Sequence, residues 1–283
     1  MDYFDQELAE IQQLIQQNKL SDAVKLYTEL LNKVSEEDEI LLHVITKDLG
    51  YLYYEMEHYE HAIEFLLTAL NQNFDDEDGR TNKILGFSYS KLNQYEYAVE
   101  YLEEAIFQCS EEHEQMIIRF ELGKVYIEIS EPELAIQQLK LAYNFFSTDE
   151  KNGYFGSTTY YLGFAYYLIE DLELANEYFN SLTENTSLEK THLAHGYYGK
   201  LFVAKSRKNA EEMILFAGKL MELIPDFYDR ETIMFFTVLA YQYQNRMQEY
   251  DKALEFFIAE YPNGKYAEKY EDLKNYEFKT IEI

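Results

Sequence analysis

The chain has 283 residues, 47% of them hydrophobic, and its 24 Lys and Arg against 53 Asp and Glu leave a formal charge of −29. A surface this acidic repels phosphate backbones and anionic lipid headgroups, which disfavours nucleic acids and membranes as partners. The single cysteine, Cys109, excludes an internal disulfide and a cysteine-based zinc site.

The first residues, Met1 to Glu7, are acidic where a secretory signal would be basic and then apolar. The most apolar stretch, Ile233 to Tyr241, is far shorter than a membrane span. We therefore expect a cytoplasmic protein. Only 3 prolines and 11 glycines occur, and long segments rich in Glu, Leu, Lys, Gln and Ala predict an all-helical chain.

An internal repeat runs along the chain. Its strongest mark is a Leu-Gly pair that recurs four times, at Leu49-Gly50, Leu85-Gly86, Leu122-Gly123 and Leu162-Gly163. Four residues after each leucine comes a tyrosine, and later in each copy come an alanine and a bulky apolar residue: Tyr53, Tyr89, Tyr126, Tyr166; Ala62, Ala98, Ala135, Ala175; Leu66, Leu102, Leu139, Phe179. Weaker copies centre on Ala23, Ala210 and Ala253.

This register resembles the tetratricopeptide repeat, a helix, a tight turn and a second helix. Glycine and alanine are needed where two antiparallel helices approach closely, because a larger side chain would separate them. The resemblance implies an all-α, right-handed superhelical solenoid of stacked antiparallel helix pairs over residues 1–283. We expect seven repeats and a C-terminal capping helix, at about 4–34, 40–73, 80–109, 113–146, 155–185, 188–224, 230–261 and 265–279.

Local signals predict where some helices begin. Ser35 and Ser110 each precede acidic residues, as helix-capping serines do, and Pro132 suits the first turn of a second helix. Residues 74–79 and 147–156 are the clearest predicted loops.

In a solenoid of this kind the first helix of each pair lines the concave surface. The spacing around each leucine then predicts candidate partner-binding residues, namely Lys47, Tyr51, Tyr54, Arg80, Lys83, Phe87, Phe120, Lys124, Tyr160, Phe164, Tyr167, His192, His195, Phe202 and Tyr241. Many are aromatic, and aromatic side chains are common interface anchors. The alternative is that they fill the core between helices.

Four of these candidates are basic. Lys47, Arg80, Lys83 and Lys124 would form a local cluster able to hold an acidic segment of a partner. The alternative is that they pair with neighbouring acids such as Asp48, Glu55, Asp78 and Glu121.

No other motif points to chemistry. His192 and His195 lie three residues apart on one helix face, which offers half a metal site or a pH-sensitive contact. The sequence has no Gly-rich phosphate loop, nucleophile elbow or zinc-protease motif. Cys109 has no basic partner nearby in sequence, so it is expected to be a small buried hydrophobe. We predict no catalytic residue, no cofactor and no metal.

These observations favour a non-catalytic protein–protein interaction module that binds a partner peptide or segment in an aromatic, locally basic concave groove. The alternative is a structural adaptor or self-associating scaffold, a homo-oligomer, that uses its convex or end surfaces. A ligand footprint on the inner residues would favour the first hypothesis, and concentration-dependent self-association with an empty groove would favour the second.

Overall fold

The computed structural model describes residues 4–35, 37–72, 74, 79–149, 153–185 and 187–277. Every regular element in those residues is helical, which confirms the predicted all-α fold. The helices are α1 (Asp5–Gln16), α2 (Leu20–Leu31), α3 (Glu39–Glu55), α4 (Tyr59–Leu70), α5 (Arg80–Lys91), α6 (Tyr95–Gln108), α7 (Glu112–Glu128), α8 (Pro132–Phe146), α9 (Gly153–Leu168), α10 (Leu172–Glu184), α11 (Lys190–Ser206), α12 (Ala210–Leu223), α13 (Arg230–Tyr243), α14 (Met247–Glu260) and α15 (Tyr270–Lys274), with a 3₁₀ turn at Ala267–Lys269. None of the described helices is long and apolar enough to cross a bilayer.

The chain forms two compact units, Met1–Ala142 and Tyr143–Ile283. In each unit the helices pack as hairpins in chain order, such as α3 with α4 or α9 with α10, and each hairpin packs on the next. First helices of successive hairpins also touch each other directly: α3 meets α5, α5 meets α7, α9 meets α11 and α11 meets α13. Among the described residues, second helices such as α4 and α6 make no comparable contact. The row of first helices is therefore the inner face of each unit.

The repeated glycines lie where the two helices of a hairpin meet. A Cβ atom at Gly50 would stand 2.5 Å from Cγ of Leu66, and one at Gly123 would stand 2.5 Å from Cγ of Leu139. These leucines are fully buried. Because no side chain fits at that distance, the glycine lets the bulky residue of the second helix pack against the backbone of the first, as the motif predicts.

Each hairpin turn contains one non-glycine residue in the left-handed conformation. The seven such residues that the structure describes are Asn18, Glu57, Asn93, Ser130, Glu170, Lys208 and Asn245, with φ between 53° and 62°. In each turn the next N–H donates to a carbonyl five residues back, as from His58 to Tyr53 or from Glu131 to Tyr126. This bond closes the end of the first helix and reverses the chain.

Counting from the left-handed residue reveals the register of the second helices. In each of them a buried triplet follows: Ala62, Leu66 and Ala69 in α4, for example. The same count places Met213, Ala217 and Leu220 in α12, and Tyr250, Leu254 and Phe257 in α14, and all six are buried. Ala210 and Ala253 are therefore not the repeat positions that the sequence predicts. The sixth and seventh copies carry the larger Met213 and Tyr250 there, whereas the first copy keeps Ala23.

Two predicted helix starts lie close to the observed ones but use other caps. Asp38, not Ser35, caps α3, and its Oδ1 accepts from the N–H of Leu41 at 3.3 Å. Glu111, not Ser110, caps α7 through the N–H of Glu114. Asp38 lies three residues and Glu111 one residue nearer its helix than the predicted serine, so these carboxylates reach the free N–H groups.

The predicted loops and the capping helix are shorter than expected. α9 begins at Gly153, so only the first part of the predicted loop 147–156 is loop, while residues 150–152 and 75–78 lie outside the described residues. The predicted capping helix 265–279 is helical only in the 3₁₀ turn and α15, and residues 278–279 also lie outside. Buried Tyr270 and Leu273 attach this segment to α14, where the Tyr270 ring meets Phe257 edge-on and the Leu273 carbonyl oxygen accepts from the Tyr250 hydroxyl.

Candidate functional site

The predicted inner residues of the first unit do lie on its inner face. Phe120 is buried, Arg80 is exposed, and the others are half-buried: Lys47, Tyr51, Tyr54, Lys83, Phe87 and Lys124. Counted back from the left-handed residue, these positions lie thirteen, ten, six and three residues before it in each hairpin. The count extends the row to Gln12 and Ile15 of α1, which the sequence analysis did not single out.

Two of the four inner cations form ion pairs with glutamates. Lys83 Nζ lies 2.7 Å from Glu114 Oε2 across α5 and α7, and Lys124 Nζ lies 2.7 Å from Glu121 Oε2 on its own helix. The Arg80 guanidinium instead stacks over the ring of Tyr51, 4.4 Å from its centroid. Pairing of Lys124 follows the predicted alternative, whereas Glu114 was not among the predicted partners. Predicted partner Asp78 lies outside the described residues.

These ion pairs change the charge of the surface. Glu114 and Glu121 neutralise two of the four cations by direct contact. The charges of the remaining two, Lys47 and Arg80, act on Asp48 and favour its ionised form. The described inner face of the first unit therefore has no strong excess of positive charge, and the ion pairs support the predicted alternative over a basic cluster.

Asp48 lies in a pocket of about 500 Å³ at the start of this face. Helices α1, α2, α3 and α5 supply the walls, and inner residues from three successive hairpins contribute. Asp48 Oδ2 accepts a hydrogen bond from the Tyr27 hydroxyl at 2.7 Å. Burial raises the pKa of Asp48, although the Tyr27 hydrogen bond, Lys47 and Arg80 act in the opposite direction. The same burial, with the Asp48 charge, raises the pKa of Tyr27.

The inner face of the second unit is aromatic. Tyr160, Phe164 and Tyr167 lie along α9. The centroid of the Phe164 ring is 6.1 Å from that of Tyr160 and 5.7 Å from that of Tyr167. Phe202 of α11 meets Phe164 edge-on at 5.8 Å and Tyr167 at 5.6 Å, and also contacts Phe236 of α13 at 5.1 Å. Tyr160 is buried, while Phe164, Tyr167 and Phe202 are half-buried. Three helices thus share one aromatic surface.

A short loop between α12 and α13 extends this surface. Tyr228 is 71% exposed, yet its hydroxyl lies 3.5 Å from that of Tyr160 and its ring lies 6.1 Å from His195. Phe227, beside it, is buried against Tyr198. The sequence analysis missed both residues because they follow Pro225 in a loop, outside the helical register.

Asp229 holds this loop in place. Its carboxylate accepts hydrogen bonds from the Tyr198 hydroxyl and from Lys265 Nζ, the latter at 2.5 Å, and its Oδ1 caps α13 at Thr232. Burial alone would raise the pKa of Asp229, but the hydrogen bonds from Lys265, Tyr198 and Thr232 outweigh it and lower that pKa. The charged carboxylate therefore ties α11, α13 and the C-terminal segment together.

The histidine pair divides between two environments. His195 stacks on Tyr160, and burial, followed by the charge of His192, lowers the pKa of His195 to about 4. His192 lies against Gly156 of α9, and its Nε2 is 3.3 Å from the Ser157 hydroxyl. Burial also lowers the pKa of His192. Both rings are neutral near pH 7, so they contribute aromatic and polar contacts there.

The register of α11 and α13 corrects two predicted positions. The count from Lys208 and Asn245 gives inner residues His195, Tyr198, Phe202 and Lys205, then Thr232, Phe235, Leu239 and Gln242. His192 falls outside that set and packs between α9 and α11 instead. Tyr241 occupies the position of the motif tyrosines such as Tyr166, which stacks on Tyr178 of a second helix. The shift arises because the sixth and seventh copies lack the Leu-Gly pair that set the alignment.

One described group could offer ligand atoms to a metal, namely Glu111, His113 and Glu114, whose donor atoms lie within 4.8 Å of one another. Both carboxylates already have partners, since Glu111 caps α7 and Glu114 binds Lys83. Cys109 is buried at the end of α6, as predicted, and its Sγ lies 3.5 Å from the carbonyl oxygen of Glu111.

No family model and no curated protein matches the chain. Solved structures do match it. The C-terminal part of a TPR repeat-containing protein from Cytophaga hutchinsonii superposes with a TM-score of 0.63 at 17% identity, covering 95% of this chain and 99% of that one. The apo form of RapI gives 0.61 at 14% identity, covering 96% of both chains. YrrB, described as a TPR protein with an unusual peptide-binding site, gives 0.54 at 19% identity, covering 77% of this chain and 97% of its own.

Proposed function

Because the chain has the tetratricopeptide-repeat fold, we propose that it is a protein-interaction module that holds a segment of a partner protein on its inner helices. The observation that carries the proposal is the aromatic surface formed by Phe164, Tyr167, Phe202 and Tyr228 in the second unit. Rings of this kind offer a large contact area with few side-chain torsions to restrict on binding. The proposal assigns the chain no catalytic role.

The aromatic surface is organised before a partner arrives. Phe202 packs edge-on against both Phe164 and Tyr167, so each ring limits the rotation of the next. Little side-chain entropy then remains to be lost on binding, which raises the affinity obtained from a given contact area. YrrB, which has a similar fold, is a TPR protein with a peptide-binding site, and this likeness supports a peptide as the ligand class.

The partner segment should carry apolar or aromatic side chains. A half-buried aromatic surface gains most by excluding water from such groups. The ion pairs of Lys83 and Lys124 leave little positive charge for the acidic segment that the sequence suggests. An apolar segment is therefore the ligand we propose for the second unit.

The test is a selection from a random peptide display library on the whole protein, followed by fluorescence titration of the selected peptides. The variant Phe164→Ala/Phe202→Ala should weaken binding by about tenfold or more, because truncated interface aromatics commonly have effects of that size. The matched control is Phe256→Ala, which removes a 55% exposed ring from α14, a second helix. Circular dichroism and thermal melting check that all variants fold.

Selected peptides that bind the double variant as tightly as the unaltered chain would refute the aromatic surface. Selected peptides dominated by Asp and Glu would instead favour the basic positions, and Lys47→Glu would then weaken them. If Phe256→Ala weakens peptide binding as much as the double variant does, the binding surface is the outer face.

The alternative function is an adaptor that uses its outer surface. The specific observation in its favour is Phe107 near the end of α6, which is 86% exposed. Sedimentation velocity over a concentration series tests it: self-association that Phe107→Ser abolishes supports the adaptor, and a monomer at every concentration opposes self-assembly.

A further inference from the structure

The pocket at the start of the inner face has chemistry that the aromatic surface does not. Six of its lining residues define that chemistry: Tyr27, Asp48, Tyr51, Tyr54, Glu55 and Arg80. All lie in the first unit, and Tyr51, Tyr54 and Arg80 occupy inner positions of two successive hairpins. The volume of about 500 Å³ is ample for one long side chain.

The carboxylate of Asp48 is only partly satisfied. Oδ2 accepts from Tyr27, while Oδ1 accepts no hydrogen bond from any residue that the structure describes. Neither Lys47 nor Arg80 forms an ion pair with Asp48 within the described chain. A partly buried carboxylate with one open oxygen gains most from a donor that carries a positive charge.

The remaining walls fit the same kind of donor. The pocket already contains one stacked guanidinium: Cζ of Arg80 lies 4.4 Å from the centroid of the Tyr51 ring. Tyr54 presents a second half-buried ring to the pocket. A planar guanidinium matches both a carboxylate and a phenol face better than a compact ammonium does.

The charge of the pocket lining favours a cation over an anion as the ligand. The lining holds two carboxylates, Asp48 and Glu55, and one guanidinium, Arg80. The whole chain has a formal charge of −29, which attracts cationic segments over a distance. An anion would have to approach both carboxylates against this field.

We propose that this pocket binds the side chain of an arginine in the partner segment, with Asp48 as its carboxylate partner and Tyr54 as a stacking face. The proposal deepens the interaction function proposed above and rests on it for the identity of the partner. It replaces the acidic segment suggested by the sequence with a basic anchor residue at the first unit.

The experiment titrates the isotope-labelled whole protein with N-acetyl-arginine-N-methylamide and follows the backbone amide signals. Signals of α3 around Asp48 should shift, and the isosteric uncharged N-acetyl-citrulline-N-methylamide should bind about tenfold more weakly or worse, because the charge-assisted contact is lost. Asp48→Asn should weaken the arginine compound similarly. Glu121→Gln, which removes one carboxylate from the same face outside the pocket, should leave its binding unchanged.

A second variant keeps the test decisive if Asp48→Asn disturbs folding. Tyr54→Leu should weaken the arginine compound about threefold, since a cation over an exposed or partly exposed ring contributes about 0.5–1 kcal/mol. Equal binding of the citrulline compound, tighter binding of N-acetyl-glutamate-N-methylamide, or shifts confined to other helices would overturn the proposal.

The titration separates this inference from the proposed function. Phe164→Ala/Phe202→Ala changes only the second unit, so the arginine compound should bind that variant normally. If the arginine compound does not bind but peptides still bind at the aromatic surface, the pocket proposal is wrong and the proposed function stands. If the arginine compound binds but no peptide binds at the aromatic surface, the proposed function is wrong and the pocket remains an arginine-binding site.

Discussion

The imidazole of His195 stacks on the phenol ring of Tyr160, with centroids 4.7 Å apart and planes 25° from parallel. The stack joins α11 to α9 and places a titratable group inside the aromatic surface of the second unit. Tyr228 and Phe227 contact the same imidazole edge-on, and His192 is the nearest like charge when both histidines are protonated. Protonation would therefore place a positive charge in a buried site near His192.

This arrangement predicts that the protein loses stability in mild acid. The pKa of His195 is about 4 in the folded chain, below its ordinary value of 6.5. Between these two pH values the unfolded chain binds a proton at His195 and the folded chain does not. Stability is full above about pH 6.5 and falls as the pH drops toward 4. After allowance for solvent screening we expect a loss of about 1 kcal/mol at pH 5.

Chemical denaturation at pH 7 and pH 5 measures the effect. His195→Phe keeps an aromatic ring on Tyr160 but does not titrate, so its stability should fall less between the two pH values. His58→Phe, at an exposed turn position before α4, is the matched control and should behave like the unaltered chain. An identical pH dependence in all three proteins contradicts the prediction.

Gly156 and His192 provide a test of helix spacing. A Cβ atom at Gly156 would lie 2.4 Å from Cγ of His192, an atom too close to its own backbone to move easily. Gly156→Ala should therefore lower the free energy of unfolding by about 1–3 kcal/mol, the usual effect of overpacking. His192→Ala in the same chain should restore most of that loss.

The control for this change is another glycine of the same unit. Gly218 is exposed within α12, and a Cβ atom there would have no neighbour within 4 Å. Gly218→Ala should raise the free energy of unfolding by about 1 kcal/mol, because alanine favours a helix interior. A gain in the free energy of unfolding for Gly156→Ala as well would show that the space between Gly156 and His192 accommodates a Cβ atom.

The left-handed turn residues predict a stabilising substitution. Ser130 has φ of 62°, a conformation that an L side chain adopts at an energetic cost and glycine adopts freely. Ser130→Gly should raise the free energy of unfolding by about 1 kcal/mol. Lys140→Gly, in the exposed interior of α8, should lower it by about the same amount. Thermal melting with matched denaturant curves distinguishes the two signs.

The hydrogen bond from Tyr27 to Asp48 predicts a pH-dependent loss. Tyr27→Phe removes the one hydrogen bond that Asp48 accepts in the described chain and should destabilise the fold by about 1–2 kcal/mol at neutral pH. The pKa of Asp48, already raised by burial, should rise further, as carboxyl-carbon NMR would show. The destabilisation should shrink as the pH falls toward that pKa, because protonated Asp48 no longer requires the donor.

Tyr53→Phe is the matched control for the hydroxyl, because the Tyr53 ring packs on Phe65 and its hydroxyl donates to no described residue. It should change stability little at any pH. A loss in Tyr27→Phe that is independent of pH would mean that the ring, and not its hydrogen bond, carries the effect.

Much of the fold follows from the repeated residues alone. Leu-Gly pairs predict hairpins because a Cβ atom at Gly50 or Gly86 would collide with the leucine opposite, so the pattern records a contact. Where the contact is made by other residues, the pattern disappears. In the sixth hairpin buried Leu201 and Ala217 stand seven residues before and nine after the left-handed turn, the positions of glycine and leucine in earlier copies. The sizes are exchanged, so matching by identity fails.

The sequence by itself determined the all-helical architecture and the row of inner positions in the copies that carry the full motif. Both depend on spacing within a single hairpin, which the order of residues along the chain specifies. Tertiary structure alone decided the partners of those positions. Lys83 meets Glu114 from 31 residues away and Tyr27 meets Asp48 from 21 away, each on a different helix. Those contacts depend on how helices pack in three dimensions, and they turned a predicted basic cluster into ion pairs beside a pocket with an open carboxylate.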